Sequence, residues 1–199
     1  MAGADRERWD ARYRNRDGNS LGLPSEWLLT YLDETAGAGR ALDLACGAGR
    51  NALALAERGW RVDAVDVSPV ALALGQQVAE ARQLSGLRWI VADLETELPV
   101  AGPYELILIV RYLDRALLEA LPALLAPGGS LLLELHQPAP PGQTSSGPRN
   151  PDYLITPDAL RTLLAPLVLE TLDSVVAGAI EKPEYLTRLR ARRPADDGD

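Results

Sequence analysis

Residues 42–52 read LDLACGAGRNA. A compact apolar run meets two glycines one residue apart, and helix-forming residues follow at once. This is a strand, a tight turn and a helix N-terminus. The same rhythm repeats on the C-terminal side. Strands read from 41–46, 60–67, 87–94, 104–110 and 130–136 alternate with helices over 50–59, 68–86 and 113–129. Ser68 serves as an N-cap, Pro69 sits in the first turn, and Gly86 lies beyond the end of that helix. Pro127, Gly128 and Gly129 close the next helix. Strands alternating with helices at this spacing form βαβ units and a parallel sheet covered on both faces. The strands are apolar on both sides, as a doubly covered sheet requires.

Further out the pattern changes. Residues 5–16 read as a helix and residues 15–22 as a loop rich in Gly, Asn and Asp. Pro24 and Ser25 open a second helix over 25–36, which Gly37 and Gly39 end. These elements have no strand partner and read as a cap. After strand five comes a long loop, 137–156, of the kind that forms a lid. A helix near 157–165 and strands near 168–176 and 185–192 follow. The chain therefore reads as one domain over 1–199. It divides into a helical cap (1–38), a core (39–136), a lid (137–156), a C-terminal helix and strands (157–193) and a frayed tail (194–199).

The 199 residues are ample for one full core, with 47% hydrophobic and 24% charged residues. The net charge is −8, from 28 acids against 20 bases, which disfavours nucleic-acid binding. The arginines at 6, 8, 12, 14 and 16 are diluted by Asp5, Glu7 and Asp10, and read as a solvated helix face. A single cysteine, Cys46, and a single histidine, His136, exclude a disulfide within the chain and any Cys- or His-rich metal site, so no metal is expected. The opening MAGADRERWD is charged where a leader would be apolar, and no apolar run is long enough for a membrane. The expectation is a cytoplasmic protein without membrane contact. The oligomeric state is not legible.

The residues offer a chain of site candidates. Gly47 and Gly49 let backbone approach a ligand, and with Ala52 they also satisfy a dinucleotide fingerprint. Asp66 ends the second strand 17 residues after Gly49, where a carboxylate can accept from a ribose diol. Its competing reading is a partner for the Ser68 helix. Asp93 ends the third strand, as an adenine partner or a turn cap. Asp63 reads as a solvated strand residue. Asp43 discriminates between ligands. It lies inside an apolar strand and needs a cationic or N–H-rich partner. A pyrophosphate would be repelled by it; an ammonium and a sulfonium would not.

The series D-x-A-C-G-x-G from Asp43, an acid at the second strand's tip, Ala92-Asp93-Leu94, and Pro127-Gly128-Gly129 resembles the class I S-adenosylmethionine-dependent methyltransferases. The resemblance spans residues 40–136. Trp9-Asp10 with Arg12-Tyr13, residues 111–115 (RYLDR) and residues 147–151 (GPRNP) resemble the small bacterial tellurite-resistance/thiopurine-type branch. It implies an α/β, doubly wound, Rossmann-like sheet of seven strands, mostly parallel with the last antiparallel, and S-adenosylmethionine as cofactor.

The resemblance also implies roles. Gly47 and Gly49 pass beneath the methionine part, and Asp43 holds its amine. Asp66 binds the ribose and Val67 packs on adenine. Asp93 takes the adenine amine, and the Leu94 N–H a ring nitrogen. Ala45, Asn51 and Tyr13 complete the cofactor-binding set, and Val110 and Arg111 sit beside the methyl group. An arginine there pairs with Asp114 or faces an acidic acceptor. His136 is the first choice for a general base, or a loop-stabilising residue. Tyr112, a third catalytic candidate with His136 and Arg111, lines the acceptor pocket with Tyr13 and Tyr153, or each is ordinary packing. Cys46 is a small buried residue below the turn. The implied activity is direct methyl transfer to a small-molecule acceptor. The rivals are a cofactor-binding sensor or scaffold without chemistry, and an NAD-dependent oxidoreductase, which Asp43 disfavours. A nucleic-acid methyltransferase is disfavoured by charge and by residues 109–113 (IVRYL) at the end of strand four, which lack the Pro-Pro-aromatic motif that grips an exocyclic amine. The cap and lid are expected to close together over the cofactor.

Overall fold

The computed structural model describes residues 2–16, 21–36 and 38–195. Parts of the 15–22 loop and of the 194–199 tail, and Gly37 as a helix stop, lie outside the described residues. Seven strands form one sheet: β1 (Arg40–Leu44), β2 (Arg61–Asp66), β3 (Leu87–Val91), β4 (Tyr104–Val110), β5 (Leu125–His136), β6 (Val168–Ala179) and β7 (Lys182–Arg192). Their order is β3-β2-β1-β4-β5-β7-β6. The first five are parallel. The last strand, β7, runs antiparallel between β5 and β6. The doubly wound seven-stranded expectation is met.

Strand alternation sorts the core into two faces. Leu42, Leu44, Ile107, Ile109, Leu131 and Leu133 pack with α5 (Arg115–Leu124) and α6 (Pro157–Leu163). Ala41, Val62, Ala64, Leu106, Leu108 and Leu132 face the other way. They pack with α2 (Glu26–Glu34), α3 (Arg50–Glu57) and α4 (Pro69–Ala81). Neighbouring residues of the middle strands β1, β4 and β5 thus serve opposite layers, which is why both faces of these strands are mainly apolar. The remaining helix, α1 (Ala2–Tyr13), lies against α4.

Three boundaries differ from the sequence reading. The helix before strand five stops at Leu124, not at the glycines. Leu125 is already extended and pairs with Tyr104, and Pro127 disfavours helical backbone at the residue before it. Strands β6 and β7 run further than expected and close as a hairpin at Ile180 and Glu181, a turn without the usual Asn-Gly or Asp-Gly signal. Helix α1 begins earlier and ends at Tyr13.

Asp63 is a correction. It is not solvated but 9% exposed at the amino-terminal edge of the sheet. Arg88 grips both its oxygens at 2.8 Å, the Tyr104 hydroxyl donates at 2.6 Å, and Arg40 lies at 3.3 Å. Burial pushes the carboxyl up, but the hydrogen bonds from Arg88 and Tyr104 and the nearby charges outweigh it and hold it below the ordinary range.

Candidate functional site

A cleft of about 610 Å³ opens at the carboxyl edge, where β1 and β4 diverge in strand order. This switch point is where open α/β sheets bind ligands. At one end lies the turn after β1. Ala45, Gly47 and Gly49 all have positive φ, at 53°, 59° and 75°. A Cβ on Gly47 would strike the Tyr13 hydroxyl, so the lack of a side chain there is required. Gly49 departs from the expectation. It does not line the cleft; it caps α3 in the left-handed region, and a Cβ there would meet the Trp89 ring at 2.5 Å. It packs against Trp89 beneath the turn.

Asp43 is 1% exposed and lines the cleft. The Ala52 backbone N–H donates to it, but Oδ2 has no hydrogen-bond partner. Burial pushes the carboxyl up to about 7, against the Ala52 bond and the charge of Arg50. Arg50 itself donates to the Leu23 carbonyl at 3.0 Å. The acid therefore lacks the cation its burial calls for.

Asp66 accepts from Gly47 N–H at 2.7 Å and from Ser68 N–H at 2.9 Å. Burial raises its pKa, opposed by those N–H groups, and the charge of Asp10 raises it further. The expected bond to the Ser68 helix thus exists, and it positions the carboxylate at the cleft. Asp93 likewise caps a turn, accepting from Glu95 N–H at 3.1 Å, while lining the cleft beside Leu94. Val67 lies between them in the lining. Asn51 lines it too, but its Oδ1 accepts Ser25 N–H at 2.8 Å and tethers α2. Cys46 is buried, and burial first, then Asp43, raise its thiol well above the ordinary range; it is no nucleophile.

At the other end stand Val110, Arg111, Tyr112, Tyr153 and His136. Arg111 does not pair with Asp114, which caps α5 by accepting Leu117 N–H at 2.8 Å. Its guanidinium lies 2.9 Å from Glu184, out of hydrogen-bond alignment, and 3.9 Å from Glu134. Arg111 has φ +62°, and its N–H donates to the Glu134 carbonyl at 2.7 Å. Burial, then Arg111, lower the His136 pKa, and its Nδ1 is buried without a partner. Gly147 from the long loop lies against that nitrogen. The loop is tied down. Ser146 N–H donates to the Pro183 carbonyl at 2.8 Å, and Thr187 Oγ1 donates to Gln137 at 2.8 Å.

Glu134 and Glu184 were missed by the sequence reading. A glutamate inside the run 130–136 (SLLLELH) was a legible signal; Glu184 gave none, since only hairpin closure brings it to Arg111. Arg8, Arg12 and Arg16, read as solvated, are exposed but also rim the cleft. The spacing of four places Arg8 and Arg12 on one face of α1, and Arg16 follows just beyond its end.

Residues 41–129, holding Asp43, Gly47, Asp66 and Asp93, match the family described as methyltransferase domain. The matched stretch is thus similar to a methyltransferase domain over a little under half of the chain. A curated relative, 2-heptyl-1-hydroxyquinolin-4(1H)-one methyltransferase of Mycobacteroides abscessus, is 35% identical over 75 residues. That stretch is 38% of this chain and 33% of the relative, so the match spans about a third of its length. Among solved structures, the N-methyltransferase NodS of Bradyrhizobium japonicum, in complex with S-adenosylhomocysteine, superposes with TM-score 0.73. It is 19% identical, over 95% of this chain and 98% of that one. TehB of Haemophilus influenzae gives TM-score 0.75 at 15% identity, over 88% and 64% of the two chains. These likenesses place the methyltransferase fold along nearly the whole chain. No helix among the described residues is long and apolar enough to cross a membrane.

Proposed function

We propose that the protein is an S-adenosylmethionine-dependent methyltransferase acting on a small-molecule acceptor. The observation that carries this reading is the unpartnered, fully buried Oδ2 of Asp43 in the same cleft as Asp66 and Asp93. A buried carboxylate without a cation fits a ligand that brings one. It does not fit a pyrophosphate, which sets aside the nicotinamide alternative.

The donor set fits the cofactor. Asp43 would hold its ammonium. Each Asp66 oxygen receives a backbone N–H and keeps a lone pair for one ribose hydroxyl. Val67, Asp93 and Leu94 would receive adenine, and Gly47 admits the chain beside the turn. When bound, the cofactor supplies a methyl group on a sulfonium, made electrophilic by that charge. This chain's residues then align and desolvate the acceptor. The charge of Arg111 is matched by Glu184, with Glu134 further off and paired to Arg188, which eases the objection to an arginine beside a sulfonium. His136, held neutral at pH 7, accepts the proton of an acceptor nucleophile. Tyr112 and Tyr153 wall that end of the cleft.

We read residues 1–38 as the cap, 137–156 as the lid, and the branch as the tellurite-resistance/thiopurine type. The curated relative's printed substrate, a hydroxyquinolinone, supports a small aromatic acceptor. The test is calorimetric titration with S-adenosylhomocysteine, then an acceptor screen that follows its release from S-adenosylmethionine. Binding with no turnover on any acceptor selects the sensor or scaffold; no binding overturns the reading.

A further inference from the structure

An unbroken line of hydrogen bonds joins helix α1 to the Asp66 end of the cleft. Asp10 on α1 is 9% exposed, and its Oδ1 accepts the Ser68 hydroxyl at 2.5 Å. Ser68 is fully buried. Its Oγ also accepts Ala71 N–H at 3.1 Å, which caps α4. Its own N–H donates to Asp66 Oδ1 at 2.9 Å, and Asp66 Oδ2 accepts Gly47 N–H at 2.7 Å. One serine thus serves the cap helix, the α4 N-terminus and the acid at the cleft.

The arrangement buries two carboxylates, Asp10 and Asp66, on either side of that serine. Among the described residues neither accepts a hydrogen bond from an arginine or lysine. The positive end of the α4 dipole favours both, but they repel each other, and Asp10 raises the Asp66 carboxyl. Docking of α1 therefore works against the charge on Asp66. A ligand that donates hydrogen bonds to Asp66 spreads that charge and relieves Asp10. Tyr13, one turn beyond Asp10, brings its hydroxyl over Gly47, so the docked helix covers this end of the cleft.

We propose that Asp10 is a positioning residue that, through Ser68, couples the docking of α1 to occupancy of Asp66. The sign is favourable: ligand on Asp66 tightens α1, and docked α1 tightens the ligand, by the same factor. The proposal rests on the assignment of Asp66 to ligand hydroxyls made above.

The experiment is amide hydrogen exchange over Ala2–Tyr13 with and without S-adenosylhomocysteine, alongside calorimetry and melting temperature. The wild-type helix should gain protection on binding. In Asp10→Ala, affinity should fall about 5- to 20-fold and the ligand-driven gain in α1 should vanish. Asp10→Asn keeps an acceptor for Ser68 without the charge. It should restore affinity, and α1 should be better protected without ligand, so that the gain shrinks. This signature decides the matter even if Asp10→Ala fails to fold. An Asp10→Ala helix that still gains protection on binding, or an Asp10→Asn protein whose α1 exchanges like wild type, overturns the proposal. A wild-type protein that does not bind S-adenosylhomocysteine overturns the proposed function instead.

Discussion

The two edges of one sheet treat their buried acids in opposite ways. At the amino-terminal edge, Asp63 is surrounded by Arg40, Arg88 and the Tyr104 hydroxyl. At the carboxyl edge, Asp43 and Asp66 are as deeply buried, yet among the described residues only backbone N–H groups donate to their carboxylates. The pKa directions follow: Asp63 is held down, Asp43 and Asp66 are pushed up. A buried acid whose charge is balanced within the chain serves the fold. One left unbalanced stores an electrostatic cost that a ligand can relieve. Asp63 and Asp66 sit on the same strand, three residues apart, so neither residue type nor strand assignment separates them.

The comparison can be broken by substitution. Gly47→Val should have the largest effect, abolishing S-adenosylhomocysteine binding, because a side chain there meets Tyr13 and the turn needs positive φ. Calorimetry on a variant shown to be folded by circular dichroism checks it. Asp66→Ala should weaken binding by about 1.5–3 kcal/mol, the value of a charged acceptor, while leaving the melting temperature within a few degrees. Asp63→Ala should show the reverse pattern. It strands the buried Tyr104 hydroxyl and two guanidinium groups, at about 2 kcal/mol of stability once the exposure of Arg88 is discounted, with ligand affinity unchanged. Equal effects of both substitutions on binding would erase the distinction between the edges.

Asp43 gives the subtlest test. Its folded carboxyl titrates near 7 against an ordinary value of 3.8, so between those pH values the native state holds a proton that the unfolded chain has released. Stability from this group is present below about pH 4 and is lost as pH rises to 7. Melting curves of the ligand-free protein from pH 5 to 8 should fall more steeply for wild type than for Asp43→Asn. Bound S-adenosylhomocysteine should flatten the wild-type curve, since its ammonium stabilises the carboxylate. Parallel curves would mean that Asp43 is already satisfied.

Much of this was written in local sequence. Apolar runs of strand length, the Ser68-Pro69 start and the glycines of residues 42–52 fixed the βαβ rhythm, because periodicity and capping act over a few residues. The spacing of Asp43, Gly47, Asp66 and Asp93 marked the ligand edge, since parallel strands deliver their C-terminal ends to one side. Tertiary structure alone decided the partners. Asp63 was misread as solvated because Arg40, Arg88 and Tyr104 reach it only across three strand pairings. That Gly49 also lies against Trp89 of β3 is equally unwritten in the local sequence. Arg111 found Glu184 rather than Asp114 because Asp114 was taken by the start of α5, while the β6–β7 hairpin carried Glu184 across from 73 positions away. A sequence states which residues carry charge and where the chain turns. Which charges cancel depends on distances between strands, and those exist only once the sheet has formed.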